Sequence, residues 1–160
     1  MRKTLPNLFL FLLLISCTNK QEPLFENISA KTGIDFTNEL TFSKELNPYT
    51  YRNFYNGGGV GLGDINNDGY LDVFFAGNIV DNKLYLNNGD LTFTDITETA
   101  QIASENVWST GVSMADVNGD GWLDIYVSKS GTPGGENRHN ELFINNGDLT
   151  FTEMAEEYGI

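Results

Sequence analysis

The sequence predicts an all-β protein built as a partial β-propeller, about two blades with the tail of a preceding one. Three observations carry this. The chain repeats itself: GVGLGDINNDGYLDVFF, from Gly59, aligns with GVSMADVNGDGWLDIYV, from Gly111, and KLYLNNGDLTFTDIT, from Lys83, aligns with ELFINNGDLTFTEMA, from Glu141. The motif NNGD occurs in both copies between apolar runs, and Asn-Gly there is a strong hairpin signal because both central turn residues need positive φ. The apolar run after each Asp-rich stretch carries large side chains at successive positions, so both of its faces are covered, as when one small sheet stacks on the next. Repeats of this length with several short strands suggest propeller blades.

The elements follow in order. Arg2 and Lys3 precede an unbroken apolar run, Leu8 to Ile15, which is shorter than the roughly 20 residues a bilayer-spanning helix needs. A basic start and a short apolar core read as a secretory signal, residues 1–16. The run ends in LISC, which resembles a bacterial lipobox, and Cys17 is the only cysteine, so it is the expected lipidation site. The alternative is an ordinary free thiol. Residues 17–24 are a polar tether ending near Pro23, and residues 25–160 are the propeller portion. With Thr18 after the cysteine, the expected location is outside the cell, lipid-anchored at the outer membrane or surface of a Gram-negative-type bacterium.

Phe25 to Ile34, FENISAKTGI, echoes FTDITETAQI and FTEMAEEYGI and is read as the tail of a preceding unit. Each full unit is expected to run from an Asp-rich loop into a strand, Leu71 to Phe75 or Leu123 to Val127. A variable loop and a second strand follow, Leu84 to Leu86 or Leu142 to Ile144, then the NNGD turn. A third strand and a short helix-like segment close the unit. Only two Asp loops are present, whereas propellers close with about 4–8 blades. Faces such as Phe74 or Tyr126 are therefore expected to lack a neighbouring sheet, and the chain is expected to be a fragment of a larger propeller or to associate.

GVGLGDINNDGYLD and GVSMADVNGDGWLD resemble the FG-GAP/VCBS repeats, the calcium-loop blades of integrin-α-type propellers. YRNFYNGGGVGLGDINNDG, WSTGV and NRHNELFINNGDLTF together look like the bacterial secreted group associated with ASPIC/UnbV domains. The resemblance covers nearly everything from Phe25 to Ile160. It implies blades that serve adhesion, glycan binding or enzymes, and so does not choose among them.

The Asp loops carry the chemistry. Oxygen-bearing side chains at alternate positions converge on one point, and like charges there repel unless a cation fills the centre. Calcium, a hard ion with about 6–8 oxygen ligands, suits such a set. The expected ligands of the first site are Asp64, Asn66, Asp68, the carbonyl of Tyr70, and Asp72. Those of the second are Asp116, Asn118, Asp120, the carbonyl of Trp122, and Asp124. Gly69 allows the sharp turn that brings the Tyr70 carbonyl inward. Two Ca2+ sites are expected. The closing acid stands at the ninth position, and Phe75 and Val127 stand where an EF-hand needs an acid. The competing reading is that Asp, Asn and Gly only make tight turns.

Net charge is −13, from 9 basic and 22 acidic residues, which argues against nucleic acid as a partner. GVSMA around Ser113 fails the nucleophile-elbow pattern at its last glycine, and GGGVGLG is neither a dinucleotide nor a P-loop fingerprint. Arg138 and His139 lie in the longer variable loop, which reads either as a binding loop or as a solvated connection. Tyr49, Tyr51, Phe54, Tyr55 and Trp108 read either as a sugar-stacking platform or as core. No catalytic residue is expected. The leading function is a non-enzymatic, calcium-binding, lipid-anchored surface module for an unidentified protein or glycan. The alternative is part of a polysaccharide-acting enzyme whose catalytic residues lie outside this chain.

Overall fold

The structure is a computed structural model and describes residues 23–104, 106–131 and 138–160. Two four-stranded antiparallel sheets, each a simple meander, make up the two blades. The first contains β1 (Val60–Gly63), β2 (Asp72–Phe75), β3 (Lys83–Asn87) and β4 (Phe93–Asp95). The second contains β5 (Ser109–Ala115), β6 (Asp124–Lys129), β7 (Glu141–Asn145) and β8 (Phe151–Glu153). Three four-residue helices are present: α1 (Ser29–Thr32) before the first sheet, α2 (Thr97–Ala100) after it and α3 (Ala155–Tyr158) after the second. The all-β, repeat-built reading holds, and the two registers coincide: Phe74 pairs with Leu84 as Tyr126 pairs with Leu142.

Each blade has one strand more than the sequence reading assigned. The glycine-rich approach segments are the inner strands β1 and β5, antiparallel to β2 and β6. Glycine is depleted in strands because it contributes no side chain. Here that absence is what packing requires. A Cβ on Gly59 would stand 2.5 Å from the carbonyl oxygen of Thr110, and one on Gly61 2.7 Å from Cγ1 of Val112. The β1 backbone therefore lies directly against β5. An isolated bridge between Asn78 and Trp108 ties the blades again at the far end.

The main core lies between the blades. Phe74, Leu84, Ala100 and Ile102 from the first unit meet Ile125, Val127 and Phe143 from the second. This corrects the expectation for Phe74. It is fully buried, not on an outer face, because blade 2 stacks on the side of β2 that Phe74 presents. Tyr126, its counterpart, does lie on the outward side with Leu142, Ile144 and Met154. Leu71 precedes β2 and is exposed, so the strand begins one residue later than expected, at the buried Asp72.

The opposite face of blade 1 is covered by the segment before it. The Phe36 ring stacks on Phe75 at 4.8 Å between centroids, and the Tyr85 hydroxyl donates to Asp35 Oδ1 at 2.7 Å. Burial and that carboxylate push the Tyr85 phenol well above its ordinary value. Lys129, almost fully buried, pairs with Glu141 across β6 and β7. The Glu141 carboxylate also accepts from Ser104 Oγ, in the link between α2 and β5, at 2.7 Å.

Candidate metal centre

The two Asp loops are built by one hydrogen-bond pattern, repeated nearly bond for bond. In the first, the Asp68 amide donates to Asp64 Oδ1 at 3.1 Å and to Asn66 Oδ1 at 3.2 Å. In the second, the Asp120 amide donates to Asp116 Oδ1 at 3.1 Å and to Asn118 Oδ1 at 3.0 Å. One N–H reaching two side chains places those two oxygens on the same side of the loop. The Gly69 and Gly121 amides fix the other oxygen of Asp64 and Asp116, at 2.8 and 2.9 Å. Gly69 and Gly121 have φ of 90° and 92°, so the chain reverses there in a conformation few other residues adopt. The Asn66 side-chain amide donates to Asp68 Oδ2 at 2.8 Å, as Asn118 does to Asp120.

The ninth-position acids are placed differently. Asp72 and Asp124 are almost completely buried. Asp72 Oδ2 accepts from the Ile65 amide at 2.9 Å and Oδ1 from the Asn87 amide at 2.8 Å. Asp124 repeats this with the amides of Val117 and Asn145, at 2.9 and 2.8 Å. Each carboxylate thus brackets its Asp loop to the NNGD hairpin. Burial pushes the Asp72 carboxyl above the usual carboxylate value; the Asn87 and Ile65 amides oppose this, and the nearby Asp68 and Asp64 charges add to it. The Gly121 amide, with those of Gly119 and Asp120, holds the exposed Asp116 below that value.

The hairpin closes the arrangement. The Asn87 side chain donates to the Leu71 carbonyl at 3.0 Å, and its Oδ1 accepts from the Gly89 amide at 2.9 Å. Asn145 repeats both bonds and adds a third, donating to the Ile65 carbonyl of the other blade at 2.8 Å. The Tyr70 and Trp122 rings lie over Gly89 and Gly147, where a Cβ would come within 3.0 and 3.1 Å of them. Sequence reasoning read the hairpin asparagines only as turn formers. Their repeated position two residues before the turn glycine was the available signal.

The two loops also touch each other. Asn67, in the left-handed region at φ 59°, donates from its side chain to the Gly121 carbonyl at 3.1 Å. The donor set of each loop is entirely oxygen, which fits a hard cation better than a transition metal. Asp64, Asn66 and Asp68 come together, as do Asp116, Asn118 and Asp120. Among the described residues, no group of three or more Asp, Glu, His or Cys side chains gathers as a metal-holding set. That agrees with the buried engagement of Asp72 and Asp124, which leaves two exposed acids and one amide in each loop.

The other candidates separate clearly. Tyr51, Phe54 and Trp108 are core, whereas Tyr49 and Tyr55 are exposed. Ser113 sits in the middle of β5, paired with Tyr126. Arg138 and His139 are exposed at the edge of the variable loop, whose residues 132–137 lie outside the described residues. Cys17, the signal and most of the tether also lie outside them. No helix among the described residues is long and apolar enough to cross a membrane.

A comparison with known families bears on the same stretch. Residues 64–127 match the FG-GAP-like repeat. The match runs from the first residue of the first Asp loop into β6, the strand after the second, so it spans both loops. The chain is also similar to cartilage acidic protein 1 of Xenopus tropicalis, 33% identical over 126 residues. That alignment covers 77% of this chain and 18% of the relative. Human cartilage acidic protein 1 is 32% identical over 102 residues, 63% of this chain and 15% of the relative. The chain therefore spans less than a fifth of the curated relatives it matches.

Proposed function

We propose that this chain is a calcium-binding propeller module of the FG-GAP type, held at the cell surface by a lipid on Cys17 and used to bind a protein or glycan. The observation that carries the calcium reading is the duplicated loop geometry. Two loops of the same type, one touching the other, each orient two carboxylates and one amide oxygen with backbone amides. A tight turn needs one such side chain, not three in alternation. Asp64, Asn66 and Asp68 would hold one ion, and Asp116, Asn118 and Asp120 the other. The Tyr70 and Trp122 carbonyls complete each set. Asp72 and Asp124 support their loops, each bracketing its loop to the hairpin through two backbone amides. The bound ion would supply positive charge where the acids converge.

A repeat match that spans both loops supports the propeller-module reading. The test is calorimetry with calcium on the 160-residue chain. Two ions are expected per chain, and one after Asp68→Ala or Asp120→Ala. Chelator should lower the melting temperature, because a ligand that binds only the folded state stabilises it. No calcium uptake at millimolar levels would sink the reading. A glycan array then separates the partner classes, binding without turnover supporting the module over the enzyme.

A further inference from the structure

Asparagine followed by glycine is chemically labile, because the glycine nitrogen can reach the side-chain carbon with no Cβ in its way. The chain has four such steps, at Asn56, Asn88, Asn118 and Asn146. Three of them are held at both reacting ends. The Gly89 amide donates to Asn87 Oδ1 at 2.9 Å, and the Asn88 side chain donates to Thr92 Oγ1 at 3.0 Å. Gly147 and Asn146 repeat this with Asn145 and Thr150, both at 2.9 Å. The Gly119 amide donates to Asp116 Oδ1 at 2.7 Å, and the Asn118 side chain to Asp120 Oδ2 at 2.8 Å. Asn56 differs. It is exposed, and among the described residues neither its side chain nor the Gly57 amide has a hydrogen-bond partner. Nothing lies within 4 Å of where a Gly57 Cβ would stand.

We propose that Asn56 is a self-modification site of the folded protein. The Gly57 nitrogen loses its proton to solvent base and bonds to Asn56 Cγ. The bond from Cγ to Nδ2 breaks, and ammonia leaves with a proton taken from water. Water then opens the resulting cyclic imide at either carbonyl, giving aspartate or isoaspartate. Water is the only co-reactant.

The two products differ in what they ask of the fold. Aspartate keeps the path of the chain. Isoaspartate routes the main chain through Cβ, which lengthens it between two anchored segments. Upstream, Phe54 is fully buried and the Asn53 side chain donates to Ser130 Oγ at 3.1 Å. Downstream, the Gly57 carbonyl accepts from the side chain of the buried Asn78 at 3.2 Å. Asn78 is itself tied to Asn38 by bonds of 2.7 and 2.9 Å. Beyond it a Cβ on Gly58 would stand 1.9 Å from the Ala76 carbonyl oxygen, and one on Gly59 2.5 Å from that of Thr110. Neither side has room to take up the added carbon, so the isoaspartyl form loosens the entry to β1.

The test holds the 160-residue chain at mildly alkaline pH and reads amide-to-acid conversion at the four asparagines by peptide mass spectrometry. One hydrogen bond that must first break is worth about fivefold in population, so Asn56 should convert at least about tenfold faster than the other three. In urea the four rates should converge. The same order is expected with calcium and with chelator, so the outcome stands apart from the calcium reading. Equal rates in the folded chain, another site leading in either solution, or an equal lead for Asn56 in urea would overturn the proposal. Aged protein should also gain a lower melting transition that grows with the isoaspartate read by an isoaspartyl methyltransferase. Asn56→Asp, which adds the charge without lengthening the chain, should melt with the parent. If Asn56→Asp melts as low as the aged protein, charge is the cause and the backbone argument falls.

Discussion

Replacing Asp124 with alanine tests whether the ninth-position acid is a structural bracket. The side chain is 1% exposed, and its two oxygens accept from the Val117 and Asn145 amides. Val117 is on an exposed loop, so water can reach its freed amide, and that loss should stay near the net value of one hydrogen bond, about 1 kcal/mol. Asn145 is buried, and an amide left unpaired there costs about 1–3 kcal/mol. The total is about 2–4 kcal/mol. Relief from desolvating a buried carboxylate offsets part of it, which favours the lower half of the range. Domains of this size have a stability of about 5–15 kcal/mol, so the variant still folds.

The assay is urea unfolding in excess chelator, which removes any calcium contribution. Asp124→Ala should lower the midpoint with the slope unchanged. Asp120→Ala, an exposed loop position, should shift stability by no more than about 0.5 kcal/mol under the same conditions. If the two variants lose the same amount, or Asp124→Ala loses less than about 1 kcal/mol, the bracket is not holding the loop to the hairpin and the acid's role is that of a ligand alone.

Gly61→Ala should cost about 1–3 kcal/mol through overpacking against Val112. Val112→Ala in the same chain should recover most of that loss, a coupling that a double-mutant cycle measures. Cys17→Ser should release the protein from membranes in cell fractionation; a variant that stays bound and unprocessed like the parent counts against the lipid anchor. Lys129→Ala should cost about 3–5 kcal/mol by leaving the Glu141 carboxylate buried without its cation, which chemical denaturation reads directly.

The parts legible in the sequence were those that depend on local chemistry. The NNGD turns, the strands β2, β3, β6 and β7, and the ends marked by α2 and α3 follow from turn residues and apolar runs a few positions apart. The inner strands were not legible as strands, because glycine at Gly59, Gly61 and Gly63 lowers every local strand signal. The alternation of Val60 and Leu62 with those glycines was the remaining trace. The role of Asp72 was hidden for another reason. A loop pattern shows which acids alternate, but not which one the rest of the fold buries, and its partner Asn87 lies 15 residues away.

The facing of Phe74 was a non-local question. Alternation places Phe74 and Tyr126 on equivalent sides of their strands, and in isolation nothing distinguishes them. What differs is the neighbour: blade 2 lies against Phe74, and nothing among the described residues lies against Tyr126 as a sheet. The alignment already held the discriminating residues. At the seam with blade 2 the first unit has Gly61, Gly63 and Ala100, where the second unit has Ser113, Ala115 and Tyr158. The small residues in the first unit are those that blade 2 packs closely against. Departures from repeat identity at these positions therefore mark the seam between the two blades, whereas the alternating Asp64, Asn66 and Asp68 recur as Asp116, Asn118 and Asp120 because the amides that orient them lie within one loop.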